Sequence, residues 1–199
     1  MIRNNPNQEI QIQRALISSW RKDPAVALAK GLVKLGVTIV ASGGTANAIA
    51  ANGVKVERLS EQTGFDNLLG GRVKTLHPAV YAAILARRNS QDDISDLSRF
   101  NIEPIDLVAV DLYPFPERTT DIEDAVELID IGGVSLIRAA AKNFKYVTIL
   151  CKAEQFDGFD LKLENTNGII NPKYRQELAI EAFNWTSQYD ARIYSGLSV

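Results

Sequence analysis

The sequence predicts an α/β domain, a parallel sheet with helices on both faces. Three observations carry that prediction. Short, β-branched apolar runs alternate with helical patterns from Ala15 to Cys151. The segments between runs are long enough to hold a helix, which parallel pairing requires. Glycine pairs stand at helix starts, at Gly43-Gly44 directly after a strand and at Gly132-Gly133.

Ala15-Leu16-Ile17 reads as the first strand. Asp23-Pro24 then offers a helix cap and a proline for the first turn. Val26, Leu28, Ala29, Leu32, Val33 and Leu35 carry that helix to Gly36, a C-terminal stop. Val37–Ala41 is a second strand, Ser42-Gly43-Gly44 turns the chain, and Thr45–Ala51 is a short helix ending near Gly53. Val54–Leu59 is a third strand. Ser60–Thr75 reads as a long Gly-rich loop, a length that marks functional segments in compact domains. Helices are expected over Pro78–Arg88, Asp92–Phe100, from a cap at Asp121 through Leu128, and from Gly132-Gly133 through Ala141. Ile105–Val110 and Val147–Cys151 are the remaining strands. Pro172–Tyr194 has the pattern of a long amphipathic helix, with Leu178, Phe183, Trp185, Tyr189 and Ile193 available to pack on the domain or on a partner subunit.

The 199 residues fit one domain, with a core at about 13–155 and a helical tail at about 172–196. Lys plus Arg (22) nearly balances Asp plus Glu (24), giving a net charge of -2. That balance argues against a nucleic-acid-coating surface or a polybasic membrane patch. A basic cluster is then local and suits a small anionic ligand. Met1–Gln13 lacks the apolar stretch of a signal peptide, and no apolar run approaches the ~18 residues of a membrane helix. A cytoplasmic location is expected. The single cysteine, Cys151, cannot form an internal disulfide, and its apolar setting points to packing.

Three sets of residues can carry chemistry. Ser42, Gly43, Gly44 and Thr45 lie between a strand and a helix start, where backbone amides bind phosphate oxygens and hydroxyls add donors. A plain turn capped by Thr45 is the competing reading. Lys22 follows the first strand on the same sheet edge. Arg72, Lys74, Thr75 and His77 lie on the segment between Gly70-Gly71 and Pro78. There Arg72 is expected to bind an anion and Lys74 to do electrostatic work. His77, the only histidine, is a poor metal signal and can cap the helix opened by Pro78. Asp111, Tyr113, Asp130 and Lys142 form the third set. Asp130 can equally be an N-terminal cap, and Lys142 can complement a helix dipole.

These residues carry a family resemblance. Val40–Ala46, Leu59–Phe65, Gly70–Val80, Ile84–Arg87, Leu112–Phe115, Ile129–Gly133 and Arg138–Asn143 run in family order over nearly the whole chain. Together they resemble the inosine monophosphate (IMP) cyclohydrolase domain, one half of a bifunctional purine-synthesis enzyme, here without the transformylase half. The resemblance implies a methylglyoxal-synthase-like, Rossmann-like three-layer fold. The implied reaction is dehydrative closure of 5-formamido-imidazole-4-carboxamide ribonucleotide (FAICAR) to IMP. No cofactor or metal is implied, and a homodimer is.

Carried over by motif, Trp20, Arg21 and Lys22, then Ser42, Gly43, Gly44 and Thr45, then Arg72, Val73, Lys74 and Thr75 resemble nucleotide contacts. Val110 and Asp111, then Asp130 and Ile131, resemble base and ribose contacts. Lys142 matches a lysine with a proton-transfer role, assisted by Lys74, Tyr113 and Asp130. The chain departs from the pattern where Trp20 and Arg21 replace small and acidic residues. Asp111 replaces an asparagine and Tyr81 a histidine. A ligand-sensing module of the same fold, or methylglyoxal synthase chemistry using His77, are the alternative readings.

Overall fold

The computed structural model describes residues 9–65, 68–116 and 122–198. Among them, a five-stranded sheet has the order β4-β3-β2-β5-β6, parallel throughout. Its strands are β2 (Arg14–Ser19), β3 (Thr38–Ala41), β4 (Glu57–Arg58), β5 (Leu107–Asp111) and β6 (Thr148–Leu150). Two-residue strands β1 (Ile10–Gln11) and β7 (Ile169–Ile170) pair separately and antiparallel, an element the apolar pattern was too short to announce.

The chain enters the sheet at its centre. It steps outward through β3 and β4, returns to the centre, and steps the other way through β5 and β6. Right-handed crossovers in opposite directions place their helices on opposite faces. Accordingly α1 (Lys22–Lys34) packs with α2 (Gly43–Ala51), whereas α7 (Ile131–Lys142) packs with α4 (Pro78–Leu85) and α9 (Pro172–Leu197). The predicted three-layer α/β fold is what forms. Central strand residues Ala15, Leu16, Ile17, Leu107, Val108 and Ala109 are wholly buried, as expected for strands covered on both faces.

Several boundaries differ from the sequence expectation. Arg21, not Asp23, is the N-cap of α1, which places Asp23 in the first helical turn. Gly36 does end that helix, at φ 77°, where its amide and that of Val37 cap the last carbonyls. Helix α2 begins at Gly43 rather than Thr45. The third strand shrinks to Glu57–Arg58 at the sheet edge, because Leu59–Thr63 turns into helix α3. A 3₁₀ turn at Leu68–Gly71 further divides the expected loop. Helices α5 (Gln91–Arg99) and α6 (Ile122–Glu127) fall where expected; Asp121, the expected cap of α6, lies outside the described residues. Phe159–Glu164 adds α8 in a stretch without a strong pattern.

The two ends of the sheet carry charge differently. At the amino ends of β2 and β5, Arg14 pairs with Glu57 (2.5 Å) and Glu103 (2.6 Å). Buried Asp106 accepts hydrogen bonds from the amides of Gln13 and Arg14, each at 3.0 Å, and pairs with buried Arg88 at 3.4 Å. Burial pushes the Asp106 carboxyl up and the Arg88 guanidinium down, while each pulls the other back toward its charged form. The carboxyl ends are a different matter.

Candidate active site

A cavity of about 680 Å³ opens at the carboxyl ends of β2 and β5. Ser19 and Asp111 face each other there in register. This is where the strand order reverses, the crevice in which open α/β sheets hold ligands.

One wall is the start of α2. Ser42 is its N-cap but makes no side-chain capping bond, so the first amides of the helix stay available to a ligand. Two lysines flank them. A methyl group placed on Gly43 would lie 3.7 Å from Lys74 Nζ, and one on Gly44 would lie 3.5 Å from Lys22 Cε. The φ of 49° at Gly43 adds a backbone reason for glycine at that position. Lys22 donates to the Ser19 carbonyl. Its pKa is pulled down by burial first and by the Lys74 charge second, with Asp111 opposing. Among the described residues, neither lysine has a carboxylate within ion-pair distance.

Thr45 does not add a free donor. Its hydroxyl is buried, donates to the Ser19 carbonyl and accepts from the Ser19 amide, both at 3.1 Å. It pins α2 to the end of β2, and the expected role of its hydroxyl as a ligand donor is corrected accordingly.

The opposite flank comes from the turn before α7. Asp130 caps this helix, accepting from the Gly133 amide at 2.7 Å and from the Tyr113 amide. Burial raises its carboxyl pKa; those two hydrogen bonds and the Lys74 charge oppose the rise. The Lys74 charge therefore acts on both Lys22 and Asp130, at two sides of one cavity. Gly132 and Gly133 are needed for close packing. A methyl on Gly132 would collide with Thr75 Oγ1, and one on Gly133 would come within 2.5 Å of Asp130 and 2.7 Å of Leu112.

The third flank holds the departures from the family pattern. Asp111 is buried and accepts from Arg21 three times: from its amide (3.0 Å), its Nε (3.1 Å) and one terminal nitrogen (2.9 Å). The other terminal nitrogen of Arg21 reaches Glu154 at 2.6 Å. These bonds hold the Arg21 guanidinium firmly charged. Trp20 leans on Tyr113, ring centroids 4.6 Å apart at 45°.

Of the residues expected at the site, Trp20, Lys22, Ser42, Gly44, Thr45, Arg72, Lys74, Thr75, Asp111, Tyr113, Asp130 and Ile131 line the cavity. Gly43 abuts it beneath Lys74, and Arg21 stands behind it as the partner of Asp111. Arg72 is not free. It is paired with Glu127, which also lines the cavity. Val73 and Val110 are not among the lining residues; Val110 is buried within β5. His77 caps α4, its Nδ1 accepting from the Ala79 amide at 3.2 Å, and does not line the cavity either. Burial raises the Tyr81 phenol pKa, with a hydrogen bond to Ser135 opposing and the Asp130 charge adding to the rise. Lys142 stands apart from the set. It is the last residue of α7 and exposed, whereas Asp130 caps the other end of that helix. At 1.5 Å per residue the helix holds them roughly 18 Å apart along its axis.

Sequence reasoning missed Glu127 and Tyr189 as site residues. The Tyr189 hydroxyl accepts from the Asp130 amide at 3.0 Å and donates to the Leu128 carbonyl at 3.3 Å. It fixes the turn that presents Asp130, so this residue of α9 packs on its own domain. Its aromatic position in the tail helix was visible; its target was not.

Among the described residues no group of three or more His, Cys, Asp or Glu could hold a metal ion, and no helix is long and apolar enough to cross a membrane.

Comparison with known proteins places this geometry. The family model for the MGS-like domain matches residues 24–135, and that for the AICARFT/IMPCHase bienzyme matches residues 140–199. The bifunctional purine biosynthesis protein PurH of Neisseria meningitidis is 44% identical over 191 residues, covering 94% of this chain and 36% of that protein. PurH of Trichormus variabilis is 42% identical over 189 residues, covering 92% and 37%. The chain thus spans little more than a third of the length of the curated relatives it matches. The crystal structure of ForH superposes with a TM-score of 0.83 at 34% identity, covering 92% of this chain and 98% of that one. The chain belongs to the MGS-like domain family and corresponds, within it, to the IMP cyclohydrolase half of the AICARFT/IMPCHase bienzymes.

Proposed function

We propose that the chain is an IMP cyclohydrolase, closing FAICAR to IMP with loss of water. The observation that carries the proposal is Lys74, whose charge acts both on Lys22 beside the Gly43-Gly44 corner and on Asp130. A cation so placed can serve a phosphate-anchored substrate while it reacts.

The chemistry needs little beyond what these groups supply. The carboxamide nitrogen of the substrate is a weak nucleophile because its lone pair is delocalised. It attacks the formyl carbon, a C–N bond forms, and the formyl oxygen becomes an oxyanion. That oxygen takes up two protons, matched by one lost from the attacking carboxamide nitrogen and one from the formamido nitrogen, and the C–O bond breaks to release water as the ring C=N bond forms. The free amides of α2, with Lys22, anchor the 5′-phosphate and so fix the reacting groups. Lys74 and the Tyr113 hydroxyl neutralise the oxyanion. Asp130, its carboxyl raised by burial, shuttles a proton near the ring. Arg72 leaves Glu127 to meet the anion, an exchange that costs little because both groups are exposed.

Lys142 receives no step in this scheme, because nothing places it near the other groups within one chain. No cofactor or metal is called on. The PurH relatives favour ring closure over ligand sensing, and the use of His77 as a helix cap removes the histidine that triose-phosphate chemistry would need.

The test is direct. Supplied with FAICAR, the protein should produce IMP, followed by its ultraviolet absorbance. IMP binding without turnover at any pH would instead favour the ligand-sensing module. A homodimer and a cytoplasmic location belong to the same proposal. Ile180 and Phe183 are exposed apolar residues of α9, and sedimentation velocity would report the assembly.

A further inference from the structure

Trp20 is a large aromatic side chain left 46% exposed on the wall of a cavity that also holds Lys22, Lys74 and Asp130. Its position is not loose. Its amide donates to the Asp111 carbonyl at 2.9 Å, and the next residue, Arg21, is locked to the Asp111 carboxylate by three hydrogen bonds. The ring itself rests against Tyr113. Four exposed aliphatic side chains, Leu69, Val126, Leu128 and Ile131, line the same cavity, but none of them offers a flat aromatic face.

The Arg21 fork has a second effect. Both carboxylate oxygens of Asp111 are engaged by Arg21. That side chain is therefore not free to read the edge of a base. What the wall offers in its place is an aromatic face. Stacking on a face needs a flat π-system and is largely indifferent to its hydrogen-bonding edge.

We propose that the Trp20 indole is the stacking wall for the base of the bound nucleotide, and that it sets specificity by the area of the stacked ring rather than by edge contacts. The proposal rests on the nucleotide reading of the cavity given above. It makes bicyclic bases better ligands than single rings, and it predicts tolerance of edge changes: IMP and xanthosine monophosphate should bind within a few-fold of each other.

The experiment compares IMP with ribose 5-phosphate, which keeps the phosphate and lacks the base. Affinities are measured by calorimetry for the unaltered protein, Trp20→Ala and Trp20→Phe. Base–aromatic stacking of ordinary strength makes Trp20→Ala about ten-fold weaker for IMP, with ribose 5-phosphate unchanged and Trp20→Phe recovering most of the loss. Fluorescence supplies an independent readout. Trp185, the only other tryptophan, lies away from the cavity between Lys152 and Arg192. In a Trp185→Phe background all indole emission comes from Trp20. IMP should quench it and ribose 5-phosphate should not. Equal IMP affinity in Trp20→Ala, or parallel loss of both ligands, would overturn the proposal, the second because Trp20 would then hold the loop and not the base. If IMP binds with this dependence on Trp20 but FAICAR is not turned over, ring closure fails and the stacking wall stands. If neither IMP nor ribose 5-phosphate binds the unaltered protein, both fail.

Discussion

The two ends of the sheet hold similar charges to opposite purpose. At the amino end Arg14, Arg88 and Asp106 are each paired with an opposite charge, and Asp106 and Arg88 also bond backbone groups. At the carboxyl end Lys22 and Lys74 face each other across a helix start, and burial and mutual repulsion depress Lys22. Paired charges fasten β2 to its neighbours. Unpaired ones destabilise the empty domain slightly and become favourable only when an anion arrives. On the proposed function, the contrast separates residues that fold the protein from residues that work in it, and each substitution below tests it.

The largest effect is expected at the amino end, on stability alone. Asp106→Ala removes the partner of a buried guanidinium and strands two backbone amides. Breaking a buried pair this way costs about 3–5 kcal/mol. Denaturant unfolding should show the loss, while the protein that remains folded should turn over FAICAR normally. A fall in specific activity of that folded fraction would blur the division between the two ends.

Lys74→Ala should do the reverse. Its side chain is exposed, so unfolding should scarcely change. Loss of a donor to a developing oxyanion typically costs about 10²–10³ in kcat. The pH profile should move as well. The Lys74 charge holds Asp130 down, so its removal leaves the Asp130 carboxyl higher still, and the acid limb of the profile should shift to higher pH. Full turnover in Lys74→Ala would end the proposed role.

Between these extremes stands the Arg21–Asp111 pair, at the working end yet built like the folding end. Arg21→Ala leaves the Asp111 carboxylate buried without its guanidinium partner. Arg21 is itself exposed, so the cost is discounted to about 1–2 kcal/mol. Adding Asp111→Asn should restore most of it, because the neutral amide no longer needs a cation. A melting curve for the double variant no better than that of Arg21→Ala would show that the two positions are not coupled.

How much of this was legible in the sequence follows from the same contrast. The alternation from β2 to β6 is a local pattern of apolar period, and its strands and helices lie close to where Ala15, Val40, Leu107 and Ile149 announce them. The Gly43-Gly44 corner was visible because a turn and a helix start are adjacent in sequence. The edge strand was overextended because apolar Val54, Val56 and Leu59 resemble a strand while Leu59–Thr63 winds into a helix. The pairings were invisible. Arg21 meets Asp111 across 90 positions, Arg72 meets Glu127 across 55, and Tyr189 meets Asp130 across 59. No local signal records which charges will neutralise each other. That is why Arg21 and Asp111, read singly, registered as two unrelated departures, while in the fold each is the reason the other is tolerated.

The smallest effect is expected at Lys142, and it is the sharpest test of the scheme because family resemblance and geometry part there. The resemblance assigns this lysine a proton-transfer role. In the fold it ends α7, exposed, roughly 18 Å along the helix from the residue whose proton it would share. A side chain of about 6 Å cannot close that gap while the helix is intact. Its positive charge at the carboxyl end of a helix instead favours the dipole by about 0.3–1 kcal/mol. Lys142→Gln should therefore lower the melting temperature slightly and leave kcat and KM within about two-fold. A hundred-fold fall in kcat with an unchanged KM would mean that α7 bends or unwinds in the working enzyme, or that a second copy of the chain supplies the lysine. Mixing Lys142→Gln with Lys74→Ala separates those outcomes. If each site draws its lysine from the partner, mixed dimers regain activity that neither variant has alone; if the lysine acts within its own chain, they do not.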